Sequence, residues 1–241
     1  MKIYSKIDKG IVRNSNQDAY FAGEISQDVT FAVVCDGMGG AKAGNVASNT
    51  AVKSISEYIM KSYRSNMSID DISKMLKNAI ISANIEIYDM ANQNEKLQGM
   101  GTTVVAAIVR SGNAVIANVG DSRVYLVDDN ITQLTTDHSI VQTLIESGKI
   151  TAEDAKSHPR KNVITRALGA ESDVSVDIEV YNLFENNTLL LCTDGLTNFV
   201  SVEDILNTFK QNDISIVSEK LVELANNGGG GDNITAVTLT M

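Results

Sequence analysis

Phe31-Ala32-Val33-Val34-Cys35-Asp36-Gly37-Met38-Gly39-Gly40 is the stretch on which the reading of this chain turns: five apolar residues end on a carboxylate, and a glycine follows at once. A short apolar run bounded in this way reads as a buried strand that stops on an aspartate. The pattern returns at Leu189-Leu190-Leu191-Cys192-Thr193-Asp194-Gly195. A third aspartate, Asp232, closes Gly228-Gly229-Gly230-Gly231 and opens an apolar strand over 233–240. Three carboxylates therefore stand at strand edges beside backbone that can bend sharply. Clustered aspartates repel one another and raise each other's pKa, so a fold that converges them without basic partners calls for a cation near neutral pH.

Asp18 and Asp121 lie at turns between apolar segments and extend the set to five. Oxygen donors with no histidine or cysteine nearby point to magnesium or manganese, since zinc and copper would recruit imidazole or thiolate. The chain has only His138 and His158 as imidazoles. Two such ions bridged by one carboxylate can hold a water, lower its pKa and aim it at phosphorus, which makes a phosphate ester the natural substrate.

Composition bounds the remaining possibilities. A chain of 241 residues with 43% hydrophobic content can bury a core as one domain. Its net charge of −10 argues against nucleic-acid binding, which needs a basic patch. The amino terminus lacks the apolar run of a signal peptide and no later stretch is long enough to span a membrane, so a cytoplasmic protein is expected. Cys35 and Cys192 each lie inside an apolar strand without metal or redox spacing and read as core residues.

Helical patterns follow the first carboxylate turn over 43–63 and 69–92, the second opened by a capping box at Ser68-Ile69-Asp70-Asp71. Strands are expected over 102–110, 113–119, 123–127 and 131–134 as one antiparallel meander. Residues 139–147 return to helix, and a polar flap around 147–163 holds the only proline, Pro159. A strand over 174–181, the strand ending at Asp194, helices within 202–209 and 214–226, and the last strand complete the chain. Strands and helices in blocks favour an α+β fold of antiparallel sheets with helices outside over a doubly wound parallel one.

Other phosphate chemistries fail on spacing. A cysteine phosphatase needs an arginine six positions after its cysteine, where this chain has Ala41 and Asn198. No Asp-x-Asp pair, serine hydrolase turn or phosphate-binding glycine loop is present.

The chain resembles the PP2C-type, metal-dependent protein serine/threonine phosphatases of bacteria. The resemblance rests on Arg13-Asn14-Ser15-Asn16-Gln17-Asp18-Ala19, Val34-Cys35-Asp36-Gly37-Met38-Gly39-Gly40, Gly101-Thr102-Thr103, Val119-Gly120-Asp121-Ser122-Arg123, Thr136-Asp137-His138-Ser139, Ile164-Thr165-Arg166-Ala167-Leu168-Gly169, Thr193-Asp194-Gly195 and Gly231-Asp232-Asn233, in that order. It implies a single domain over 1–241 built as a four-layer α-β-β-α sandwich, two central antiparallel sheets flanked by helices, with a metal centre in a cleft at one end. By position, Asp36 bridges two manganese or magnesium ions and the Gly37 carbonyl reaches one of them. Asp194 and Asp232 complete the other, and Asp18 acts on the Gly37 side through water. Asp121 matches the position that, with Asp194, holds a weaker third metal, and Arg13 matches the arginine that grips the substrate phosphate. His138 is read as structural, Asn233 as orienting the Asp232 loop, and Thr102, Thr103, Ser122 and Arg123 as packing and turn residues.

The implied activity is hydrolysis of phosphoserine and phosphothreonine on proteins by direct attack of metal-activated water. The enzyme would be a monomer opposing a serine/threonine protein kinase, with no nucleic acid and no membrane insertion. The alternative is a silent pseudophosphatase that binds phosphoproteins or a kinase. Animal relatives carry a histidine where Met38 stands, many bacterial ones a histidine at Ala41, and animal forms a carboxylate at Gln17. The proton donor to the leaving alkoxide is thus unassigned, with a metal-bound water as one alternative.

Overall fold

The computed structural model describes residues 1–40 and 43–241. Ala41, read above as a departure from the bacterial pattern, and Lys42 lie outside the described residues.

Strand β3 (Val29–Met38) shows why the layers form. It is apolar on both faces, and successive side chains point to opposite sides of a sheet. Phe31, Val33 and Cys35 pack under helices α1 (Ala43–Ser62) and α2 (Ile69–Gln93), while Ala32 and Val34 face a second sheet. The capping box at Ser68 and Asp71 starts α2, each residue bonding the other's backbone N–H.

The first sheet runs β2 (Asp18–Ser26), β3, β5 (Val104–Arg110), β6 (Asn113–Val119) and β9 (Asp177–Asn182), with the short β4 (Gly101–Thr102) paired to the end of β3. The second runs β1 (Lys2–Asp8), β11 (Ile234–Thr240), β10 (Thr188–Cys192), β7 (Arg123–Val127) and β8 (Ile131–Gln133). All pairings in both sheets are antiparallel. In β10, Leu189 and Leu191 meet the first sheet, whereas Leu190 and Cys192 turn outward onto α6 (Val202–Gln211) and α7 (Ile214–Asn227) through Ile205, Val217 and Leu221. The α+β sandwich of helices, sheet, sheet and helices is therefore present, with apolar layers on either side of each sheet.

The single meander expected over 102–134 is corrected. β5 and β6 pair in the first sheet, but β7 and β8 belong to the second. The chain changes sheets at Gly120-Asp121-Ser122, where Gly120 takes a left-handed φ of 114°. Strands β1 and β2 went unread because both are edge strands with half-exposed, mixed polar sequence. The strand expected over 174–181 occupies Asp177–Asn182. The region of the expected flap holds α3 (Ile140–Glu146) at its edge and α4 (Ala152–Lys156), the latter opened by a second capping box between Thr151 and Asp154. No helix among the described residues is long and apolar enough to cross a membrane.

Candidate metal centre

The strand alternation that sorts Ala32 and Val34 toward the second sheet carries on to Asp36, which falls at the sheet–sheet end of β3. Its direct partner in register across the strand pair is Asp18. Two carboxylates facing each other in this way repel. From the second sheet, β10 ends at Cys192 and Asp194 opens the short helix α5 (Asp194–Thr197); Asp232 lies just before β11. The turn between sheets supplies Asp121. Strand ends from both sheets thus deliver all five aspartates to one end of the sandwich.

The glycines after the first two aspartates are demanded by crowding. A Cβ on Gly37 would stand 2.1 Å from the Gly44 carbonyl oxygen and 2.6 Å from that of Gln17. One on Gly195 would stand 1.8 Å from the Asn233 carbonyl oxygen. In each case a second stretch of backbone passes where a side chain would sit, so the Asp-Gly pairs are packing junctions as well as turns.

Asp36, Gly37, Asp121, Asp194, Asp232 and Arg13 line a cavity of about 260 Å³, together with Gln17, Asn162 and Asn233. Asp18 lies behind this wall, only 5% exposed. Its Oδ2 accepts hydrogen bonds from Thr193 Oγ1 at 2.9 Å and Thr235 Oγ1 at 2.7 Å, while Oδ1 is buried without a partner. Asp194 Oδ2 accepts from Asn198 Nδ2 at 2.8 Å, and its Oδ1 is likewise buried and unpartnered. Arg13 reaches into the cavity and donates to Asp232 Oδ2 at 2.7 Å. It is the only basic side chain lining that cavity among the described residues.

The electrostatics follow from this crowding. Burial, partly offset by the two threonine hydroxyls and reinforced by Asp194 and Asp232, pushes the Asp18 carboxyl from its ordinary 3.8 up to about 7. Burial and then the charge of Asp194 and Asp137 raise Asp121 to about 7 as well. Asp36 is raised well above the carboxylate range by burial and then by Asp18, Asp194, Asp121 and Asp232. Asp194 is raised by burial and the charge of Asp232, against hydrogen bonding from Asn198. Among the described residues, no three acidic, histidine or cysteine side chains stand as a closed shell around a single point. The carboxylates face shared space with Arg13 and Asn198 holding two of them. Oxygen-only donors, two orphaned buried carboxylate oxygens and uncompensated negative charge nevertheless fit a hard divalent cation.

The supporting residues divide as follows. Asn233 donates from Nδ2 to the Lys9 and Ser15 carbonyls at 2.8 and 3.0 Å, and its Oδ1 accepts from Gln17 N–H at 2.7 Å. It clasps the loop that carries Arg13 to the strand beside Asp232. His138 Nδ1 accepts from Gly120 N–H at 3.1 Å, and Nε2 meets Asp177 at 3.0 Å, which fastens the Asp121 turn from below. Thr103 Oγ1 accepts from Asp36 N–H and pairs with Ser122 Oγ. Arg123 is more than a turn residue, since it forms a bidentate ion pair with Asp137. Both cysteines are fully buried, and burial pushes the Cys192 thiol up to about 12. Sequence reasoning missed Thr193, Thr235 and Asn198. The available signals were a threonine between an apolar run and Asp194, a hydroxyl inside an otherwise apolar strand, and an amide four residues after Asp194.

Known proteins share this sequence pattern and this fold. The sequence profile of the family Protein phosphatase 2C matches residues 5–224. The chain is 42% identical to serine/threonine phosphatase stp of Listeria welshimeri over 236 residues, covering 96% of this chain and 92% of that protein. Its structure is similar to that of the serine/threonine phosphatase Stp1 from Staphylococcus aureus, with a TM-score of 0.93 and 35% identity over 100% of this chain and 94% of the other. It is also similar to the catalytic domain of the serine/threonine protein phosphatase PstP in complex with two manganese ions, with a TM-score of 0.85 and 31% identity over 98% and 96% of the two chains.

Proposed function

This chain belongs to the protein phosphatase 2C family, and on that premise we propose that it is a manganese- or magnesium-dependent phosphatase acting on phosphoserine and phosphothreonine in proteins. The observation that carries this reading is the set of four carboxylates lining one small cavity, backed by Asp18, with two buried oxygens lacking partners. Asp36 would bridge the ion pair, with the Gly37 carbonyl and, through water, Asp18 on one side and Asp194 and Asp232 on the other. Asp121 with Asp194 would hold a third. Such an ion pair, when bound, lowers the pKa of a water and neutralises charge gathering on the phosphoryl oxygens.

The protein's own groups supply the rest. The guanidinium of Arg13 is half-exposed and spends its hydrogen bond on Asp232. Released from Asp232, that planar fork could hold two phosphoryl oxygens. Asn233 keeps the Arg13 loop in register during this exchange by holding both Lys9 and Ser15. Thr193 and Thr235 fix the orientation of Asp18 and leave its other oxygen without a partner. Retention of the whole carboxylate set favours turnover over a silent binding role.

We place the whole activity in one domain over 1–241, acting as a monomer in the cytoplasm against the products of a serine/threonine protein kinase. The segment 147–163 would contribute substrate selection as a flap. The deciding experiment is phosphopeptide turnover with manganese, with chelator, and for Asp36→Asn and Asp194→Asn. Loss of at least a thousandfold is expected in all three perturbations. Activity surviving chelation or both substitutions would refute the metal mechanism.

A further inference from the structure

Ile11 and Val12 are 68% and 66% exposed, and among the described residues only Phe184, at the far end of the first sheet, is a more exposed large apolar residue. Single exposed apolar side chains are ordinary on a protein surface. These two differ in how they are held. Gly10, at a left-handed φ of 77°, donates its N–H to Asp8 Oδ1 at 2.8 Å. The N–H groups of Ile11 and Val12 both donate to the Gly230 carbonyl, at 2.8 and 3.2 Å. The buried Asn233 amide then ties down Lys9 on one side of the pair and Ser15 on the other. The backbone is thus an arch pinned by five hydrogen bonds, and its apolar side chains stand exposed.

The next residue along that arch is Arg13, whose guanidinium enters the metal cavity at Asp232. Consecutive Cα atoms are about 3.8 Å apart, and an extended peptide advances about 3.4 Å per residue. A phosphopeptide held by Arg13 could run out of the cavity toward Val12 and Ile11, since three extended residues span about 10 Å. We propose that these two side chains are a specificity surface of the substrate cleft, one that favours phosphorylated segments with an apolar residue within three positions of the phosphoserine or phosphothreonine. The inference rests on the phosphatase reading of the site. Because the arch is already ordered, contact with an apolar side chain removes water from both partners without a further ordering cost, which is the condition under which small apolar contacts translate into selectivity.

The test uses two phosphothreonine peptides of equal charge and length, one with leucine and one with serine flanking the phosphoresidue. kcat/KM with manganese is measured for the full chain and for Ile11→Ser, Val12→Ser and the double variant, each normalised to turnover of p-nitrophenyl phosphate, which has no peptide. The native chain should prefer the leucine peptide by about tenfold, and the double variant should bring that ratio to near one by slowing the leucine peptide alone. No preference in the native chain, or an equal fall on both peptides, would overturn the inference while leaving the phosphatase reading intact. A concentration-dependent dimer lost in the double variant would overturn it too, by assigning the arch to self-association. No turnover of p-nitrophenyl phosphate by the native chain with any divalent metal would sink the phosphatase reading and this inference together.

Discussion

Acidifying the metal-free protein from pH 7.5 to 5.5 should make it more stable, against the common trend for proteins held by ionised carboxylates. Asp18 has a folded-state pKa of about 7 because it is buried between two sheets beside other acids. Its unfolded value is about 3.9. Between those values the folded state holds a proton that the unfolded state does not, so stability falls as pH rises through the window and is fully relieved below it. For one group with these pKa values, the gain between pH 7.5 and 5.5 is about 2 kcal/mol. Asp121, also raised to about 7, adds to this with the same sign. Its share overlaps with that of Asp194, whose charge helps to raise both. The carboxyls of Asp71, Asp154, Asp177 and Asp213 are shifted downward and titrate below this window, so they do not reverse the sign. Urea unfolding in chelator at several pH values reads the effect, and the thermal midpoint should rise by about 6 °C over the same range. Asp18→Asn keeps the shape and removes one titration, so its slope should be shallower than that of the native chain. With excess manganese the trend should invert, because protons and metal compete for the same oxygens. A metal-free stability that is flat or climbs from pH 5.5 to 7.5 would show that these carboxylates ionise without penalty, and the electrostatic account of the site would be wrong.

Arg13→Lys replaces a planar fork with a point charge, and phosphopeptide kcat/KM should fall about 10- to 100-fold while manganese affinity is retained; unchanged kinetics would remove Arg13 from phosphate binding. Gly195→Ala drives a methyl group against the Asn233 carbonyl, whose oxygen lies 1.8 Å from the new atom. It should cost about 3 kcal/mol in urea unfolding, and a loss under 0.5 kcal/mol would contradict the crowding described for that junction. Asp121→Asn should weaken only the least tightly held metal, visible as one missing low-affinity phase in a calorimetric titration; an intact three-phase titration would count against its role.

The parts of the fold that the sequence disclosed are those where local pattern and tertiary burial agree. The run from Phe31 to Cys35 is apolar on both faces because helices cover one side and a second sheet the other. Ser68 and Asp71 announce α2 through a bond pattern contained within four residues. What stayed hidden depends on distant partners. The mixed sequence of Lys2–Asp8 becomes a strand only because β11 offers a complete ladder of partners. The change of sheet at Gly120 reads locally as one more hairpin turn, since the choice of partner strand is made by packing. At the site, each aspartate could be named from its turn, but the register of Asp18 against Asp36 is set by strand pairing, and the two threonines on Asp18 come from far along the chain.

Strand β11 lies inside its sheet, between the first strand of the chain and β10. It brings Thr235 to Asp18 and follows directly from Asp232. A growing polypeptide can form its first helices and the first sheet's hairpins early, yet β1 has no neighbour and the second sheet stays split until residues 234–240 leave the ribosome. On the proposed site, hydrolytic competence therefore waits on β11. A chain interrupted before β11 would leave β1 unpaired and Asp18 without Thr235, and on the proposed site it would be inert toward phosphate esters.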